Sequence, residues 1–133
     1  MFRKVEYNDL NAKQKENYNF HKIAARLADY GYHSMKLSDD YMGADFIALH
    51  MNGQDLLKVQ LKGRMTLSKK YVGKGLHIAF INGDEMFVYP HDTLVADLQG
   101  TWRDSKSWMA DNGEYHWGTL SKSIRSQLKP YSI

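Results

Sequence analysis

Apolar residues recur along this chain with two distinct periods. Between Asn11 and Gly31, the residues Phe20, Ile23, Ala24, Leu27 and Ala28 fall at helical spacing, and Asn11 with Gln14 makes a capping-box pattern at the start. A helix is predicted there, ending at Gly31. Beyond it the period shortens to two. Tyr32 to Leu37, Ala44 to His50, Leu56 to Lys62, Leu76 to Ile81 and Glu85 to Tyr89 are short apolar-rich runs separated by turn chemistry, including Asn52-Gly53-Gln54-Asp55 and Asn82-Gly83-Asp84. They read as five strands, the second and third joined as one hairpin and the last two as another, which Pro90 terminates. His91 to Leu98 and Leu120 to Leu128 are predicted short helices, stopped by Gly100 and Pro130. Residues 63–75, punctuated by Gly63, Gly73 and Gly75, are predicted to be loop with at most a brief helix. With no repeat and no break in composition, residues 1–133 are expected to form one α/β domain, bordering on α+β, around a mixed central sheet flanked by helices. The pattern does not give the strand order.

Two runs carry polar residues where a buried strand has no use for them. Fourteen residues separate Asp45 from Gln60-Leu61-Lys62, with the Asn52 to Asp55 turn between. Pairing the two runs as a hairpin brings a carboxylate, a carboxamide and an ammonium together, a combination suited to a metal ion and a phosphate. Alternation puts Lys58, Gln60 and Lys62 on one face of the second run and Leu57, Val59 and Leu61 on the other. A solvated surface face is the ordinary reason for such a pattern. Asp45 argues against it, because it precedes Phe46-Ile47-Ala48-Leu49, a run expected of a strand buried on both faces, where a carboxylate requires a partner. Near the start of the predicted helix, Glu16 and Asn19 lie four residues before Phe20 and Ile23 and can lean toward the same place.

Composition narrows the class. A chain of 133 residues with 43% apolar and 13% aromatic content buries roughly two thirds of its unfolded surface, which suffices for an independent core. The absence of cysteine removes disulfides, cysteine-based zinc sites and thiol nucleophiles, and fits a reducing compartment, so a cytoplasmic location is expected. No apolar run is long enough to cross a membrane, and no membrane role is expected. The formal charge of +3 is mild, but its distribution is not: Lys58, Lys62, Arg64, Lys69, Lys70 and Lys74 occur in a stretch containing no Asp or Glu. Such a block attracts a phosphate backbone, with affinity falling as salt rises, though a solvated loop accounts for it equally well.

A helix carrying an acid, then a strand, then Gly43-Ala44-Asp45 on a second strand and Gln60-Leu61-Lys62 on a third, resembles the PD-(D/E)XK nuclease superfamily, in particular its small resolvase-like, restriction-like and homing-endonuclease-like members. The resemblance covers roughly residues 11–64. It implies a restriction-endonuclease-like fold and a Mg²⁺-dependent endonuclease, with Mn²⁺ as the alternative ion, acting on nucleic acid and by preference DNA. It further implies that Asp45, Gln60 and Glu16 hold the metal and that Lys62 is the motif lysine. Lys58, Arg64, Lys69, Lys70 and Lys74 would contact the nucleic acid, and a homodimer would cut two strands. Two positions depart from the motif. Ala44 stands in place of proline, a mild change because Gly43 can supply the bend. Gln60 stands in place of an acid and offers oxygen without charge, which should weaken the hold on a hard cation unless Glu16 compensates. The resemblance also implies a helix after the motif lysine, for which residues 63–75 leave little room.

The remaining conspicuous residues are assigned to structure. Six histidines show no metal-ligand spacing, although His50 and His77 would meet if their strands were neighbours. Trp102, Trp108, Tyr115 and Trp117 are expected to close the core, with base stacking as the lesser alternative. The seven methionines are expected to fill core gaps, and Gly73-Lys74-Gly75 is too short for a phosphate-binding loop. The rival to an enzyme is a module that kept the nuclease-like sheet and basic face but lost productive metal binding through Gln60, and that binds nucleic acid or a protein. A third reading is an inhibitor or protein-interaction domain using the aromatic carboxyl-terminal region.

Overall fold

A computed structural model describes all of residues 1–133. Helix α1 (Ala12–Ala28) begins at the predicted capping box, with Asn11 accepting from the Gln14 amide and Gln14 returning a bond to the Asn11 amide, each at 2.9 Å. It ends where Gly31 adopts φ +87°. Its buried stripe, Phe20, Ile23 and Leu27, packs on Phe46, Ala48, Val59, Leu61, Ala79 and Val88 of the sheet. Each large side chain sealed there contributes ~1.5–3 kcal/mol relative to exposure.

The sheet contains β1 (Tyr32–Tyr41), β2 (Ala44–His50), β3 (Leu56–Leu61), β5 (Leu76–Asn82) and β6 (Glu85–Pro90), in the order β1-β2-β3-β5-β6. All neighbours are antiparallel except β3 and β5, so the sheet is mixed as expected. A two-residue turn joins β1 to β2 through Met42 and Gly43, both with positive φ (52° and 91°), as a hairpin turn of this length demands. The register between the two strands shifts between Lys36 and Tyr41, so that Leu37 to Asp40 bulge from the ladder.

The parallel β3–β5 pair requires a crossover, and residues 62–75 supply it. They are not the loop expected. Met65–Ser68 form a strand, β4, every residue of which is buried, followed by a single 3₁₀ turn at Lys69–Tyr71. Strand β4 pairs with β7 (Glu114–Trp117), and this second sheet covers the face of the main sheet opposite α1. Helices α2 (His91–Asp97), α3 (Lys106–Met109) and α4 (Lys122–Leu128) complete that layer. The free edge of β4 is satisfied by side chains in place of a strand. Tyr89 Oη donates to the Thr66 carbonyl and accepts the Thr66 amide, while His91 Nε2 accepts the Ser68 amide at 3.0 Å.

Other expectations are corrected by the same arrangement. Trp102 and Trp108 are buried and meet edge to face, as the core-closing reading requires. His50 and His77 do not meet, because β3 lies between their strands. Of the methionines only Met65 is buried, whereas Met1, Met35, Met42, Met51 and Met109 are exposed. Strand β2 is not buried on both faces. Phe46 and Ala48 are sealed in the cluster beneath α1 and Ala44 in the cluster on the opposite face, but Ile47 is half-exposed and Leu49 exposed. The second layer packs Met65 and Leu67 on Ile78 and Phe80 of β5 and reaches β2 and β1 at Ala44 and Leu37, beside their turn, while Met35 and Leu49 farther along those strands stay exposed.

Candidate active site

The cleft lies at the limit of that covered area. Alternation along β3 sends Val59 and Leu61 into the core beneath α1 and leaves Lys58 and Gln60 half-buried on the opposite face, as the sequence pattern predicts. The β2–β3 register pairs Phe46 with Val59, so the next step along the ladder sets Asp45 across from Gln60. A cleft of about 350 Å³ gathers Asp45, Gln60 and Lys62 with Asp40, Lys70, Tyr71 and Lys74. Gly43 forms part of its floor. A methyl group at that position would meet Leu76 Cδ1 at 2.7 Å, so the glycine permits both the turn and the close approach of β5.

Asp45 is anchored. Its Oδ2 accepts the Leu61 amide at 2.8 Å, leaving Oδ1 for another partner. Burial raises its pKa above the ordinary carboxylate range; the Leu61 hydrogen bond opposes this, the charges of Glu16 and Asp40 add to it, and Lys62 opposes it. Gln60 donates through Nε2 to the Leu61 carbonyl at 3.2 Å, so its Oε1 is the free end. Lys62 Nζ sits 5.3 Å from the centre of the Tyr71 ring, and Lys70 Nζ lies 5.1 Å from the same ring. Burial also raises the Tyr71 pKa, with Lys70 pulling against it.

The expected basic contacts divide into two groups. Lys62, Lys70 and Lys74 line the cleft. Lys58 is committed to structure through a 2.7 Å bond to the Lys74 carbonyl, which ties β3 to the end of the crossover. Lys69 is likewise occupied, lying over the Trp108 ring at 5.4 Å and donating to the Ala110 carbonyl. Arg64 is exposed and lies outside the cleft. Glu16 lines an adjoining cavity with Lys15, Asn19, Lys62 and Gly63, and its carboxylate stands 3.8 Å from Lys13 and 3.9 Å from Lys36. It reaches Asp45 through its field, from a neighbouring cavity that shares Lys62.

Asp40 and Tyr71 were not singled out by sequence reasoning. Asp40 arrives through the bulge in β1, where Oδ2 accepts the Gly43 amide at 3.3 Å. Tyr71 arrives at the end of the 3₁₀ turn after β4. Neither position has a sequence signal, because both depend on the crossover and the register shift.

No three His, Cys, Asp or Glu side chains converge closely enough to hold a metal by themselves. The donors that do converge are hard oxygens: the free Oδ1 of Asp45, the free Oε1 of Gln60 and the Asp40 carboxylate. That chemistry fits Mg²⁺, which takes few protein ligands and keeps several waters.

No family model and no curated protein sequence matches the chain. Among solved structures it is similar to a bacterial homing endonuclease, I-Ssp6803I, at 17% identity and a TM-score of 0.50, covering 84% of this chain and 78% of that one. It is also similar to Hjc, a Holliday junction resolvase from the archaeal hyperthermophile Archaeoglobus fulgidus, at 14% identity and a TM-score of 0.52, covering 85% of this chain and 88% of that one. At such identities the likeness is one of backbone architecture. The chain has the restriction-endonuclease-like fold of these two nucleases.

Proposed function

We propose that the protein is a Mg²⁺-dependent endonuclease that hydrolyses phosphodiester bonds in DNA. The observation that carries this reading is the convergence of Asp45, Gln60 and Lys62 in one cleft whose rim adds Lys70 and Lys74. The fold it shares with a homing endonuclease and a junction resolvase adds support.

Asp45 Oδ1 and Gln60 Oε1, with Asp40 beside them, are the groups to hold the metal; Mn²⁺ is the alternative ion, and Glu16 acts from the adjoining cavity. A bound Mg²⁺ polarises a phosphoryl oxygen and lowers the pKa of its waters. The protein's own groups do the rest. Lys62, steadied against Tyr71, carries positive charge to the phosphoryl oxygens, where negative charge grows in the transition state. Lys70 and Lys74 position the flanking phosphates without reading sequence. Asp45 is held in one orientation by the Leu61 amide, so its free oxygen needs no reorganisation before it acts. Cutting both strands of a duplex calls for two copies, and a homodimer is the assembly we assign to that task.

The test is cleavage of duplex, four-way-junction and single-stranded DNA across a divalent-metal series, with Asp45→Ala and Lys62→Ala as controls of unchanged fold. Metal-dependent cleavage by the wild-type protein and loss in both variants is the expected result; cleavage retained by both variants defeats the assignment. The absence of a three-carboxylate cluster favours one second reading, a module that binds nucleic acid without turnover. It predicts salt-sensitive binding and no cleavage under any metal.

A further inference from the structure

We infer that the protein carries a separate nucleobase-binding subsite one cavity away from the cleft, formed by Tyr7, Tyr18, Asn19, Gly63, Ile81 and Gly83. The inference rests on the proposed action on nucleic acid, but concerns residues that take no part in the chemistry. These residues line a cavity of about 290 Å³, at the small end of the ~300–1,000 Å³ typical of ligand pockets. That is room for a flat heterocycle rather than a bulky ligand.

The walls have the chemistry a base requires. Tyr7 and Tyr18 meet edge to face, 5.3 Å between ring centres at 63°, yet remain 38% and 41% exposed. Lys15 and Lys22 each hold an ammonium 5.3 Å from the centre of one ring, Lys15 at Tyr7 and Lys22 at Tyr18, which adds positive charge beside an aromatic platform. Asn19 donates through Nδ2 to the Tyr7 hydroxyl at 3.0 Å, which fixes the amide and leaves Oδ1 free to accept from a ring N–H or exocyclic amine. Ile81 supplies an apolar wall.

Gly63 is the second line of evidence. Its φ is not positive, and a Cβ built there meets no atom within 4 Å, so neither backbone strain nor packing calls for glycine. What the missing side chain does leave is open space at a junction. Gly63 lines this cavity and also the adjoining one that contains Lys15, Glu16 and Lys62. Tyr7, Asn19 and Gly63 line both cavities, so a strand with a phosphate at Lys62 would enter a space continuous with the tyrosine cavity, and Lys15, over the Tyr7 ring, lines that shared space.

The experiment compares binding of a short fluorescein-labelled oligothymidylate with an abasic tetrahydrofuran-phosphate oligomer of equal length, in Ca²⁺ to suppress cleavage. The two ligands share a backbone and differ only in bases. Stacking of a single base predicts a wild-type preference of about 10-fold for the thymidine oligomer. Tyr18→Ala and Gly63→Leu, the second at a position where an added Cβ meets no atom within 4 Å, should both bring the preference close to unity. Lys74→Ala should weaken both ligands alike and keep the ratio. Equal wild-type binding of the two oligomers, or a preference unchanged in both cavity variants, overturns the subsite even if DNA cleavage proceeds. Absence of binding to both oligomers by the wild-type protein overturns the subsite, whereas the nuclease reading is decided separately by the cleavage series on duplex and junction DNA.

Discussion

Asp45 and Gln60 set the character of the site. Because burial holds the Asp45 pKa above its ordinary value, the folded state binds a proton more readily than the unfolded chain, and ionisation of this group costs stability as pH rises through that window. Asp45→Asn should therefore keep or raise the melting temperature at neutral pH, since an amide oxygen can still accept the Leu61 N–H, while cleavage is lost. A fall in melting temperature would show that Asp45 supports the fold rather than the chemistry. The same raised pKa means that metal-dependent cleavage should decline with acid earlier than an ordinary aspartate allows, because the proton and the cation compete for one carboxylate; a pH–rate profile at fixed Mg²⁺ reads this directly. Gln60→Glu restores the charge that the carboxamide lacks. It should lower the Mg²⁺ concentration needed for half-maximal activity, by an amount a metal titration measures, and Lys62→Ala should cost ~10²–10³-fold in single-turnover rate. Asp45 and Lys62 could be singled out from sequence because their types and spacing follow a motif, and Gln60 and Glu16 because of their places relative to it, although Gln60 departs from the acid the motif calls for. Asp40 and Tyr71 could not, since neither is within a motif and each is delivered by a distant backbone feature.

Among the elements, the sequence pattern misses strand β4 of the crossover, its partner β7 and the short helix α3, and it stops β1 at Leu37 where the strand runs to Tyr41. Strand β4 is four residues long, its partner β7 lies some fifty residues downstream, and its other edge is completed by the side chains of Tyr89 and His91. Local periodicity has nothing to register in such a strand, because its stability comes entirely from tertiary partners. His91 makes this element pH-sensitive. Burial lowers the histidine's pKa, with Asp92 opposing, so the unfolded state binds the proton first. Stability is complete above the ordinary histidine pKa of ~6.5 and is lost as pH falls through that value toward the lower folded one. His91→Gln should be less stable than wild type at neutral pH, and chemical denaturation should show the gap narrowing below pH ~6. At the β1–β2 turn, Gly43→Ala forces a positive φ on a residue with a side chain and drives a methyl into Leu76. A loss of ~1–3 kcal/mol is expected, with the cleft disordered before the α1 side of the core. Helix α1, by contrast, is largely legible: its capping box and the Phe20, Ile23 and Leu27 stripe are local signals found where the pattern sets them, although Ala28 is exposed and the helix ends three residues before Gly31.

At the scale of the whole molecule, the second layer covers the β5–β6 half of the sheet, meets β1 and β2 at Leu37 and Ala44, and the cleft opens where coverage ends. That incomplete cover is why Asp45 is buried enough to have a raised pKa and yet faces a cavity. It also decides which cations serve the ligand. Of the basic block, Lys62, Lys70 and Lys74 face the cleft, whereas Lys58 and Lys69 are tied to backbone carbonyls. The Lys70→Ala, Lys74→Ala double variant should accordingly weaken DNA binding and flatten the dependence of log affinity on log salt by roughly two units or less, while Lys58→Ala should act through stability instead. No helix is long and apolar enough to cross a membrane.

What the sequence by itself determined is everything written in short-range order: the helix with its caps, the two hairpins, the alternation that turns Lys58, Gln60 and Lys62 to one face, and the motif that joins Asp45 to Lys62. Periods of 3.6 and 2 residues are properties of the chain, and they survive without knowledge of what packs where. The tertiary structure alone decided the strand order, the hidden strand of the crossover, the arrival of Asp40 and Tyr71, and the division of lysines between backbone and cleft. Those outcomes depend on contacts between residues far apart in sequence, whose energies exist only once the layers have met.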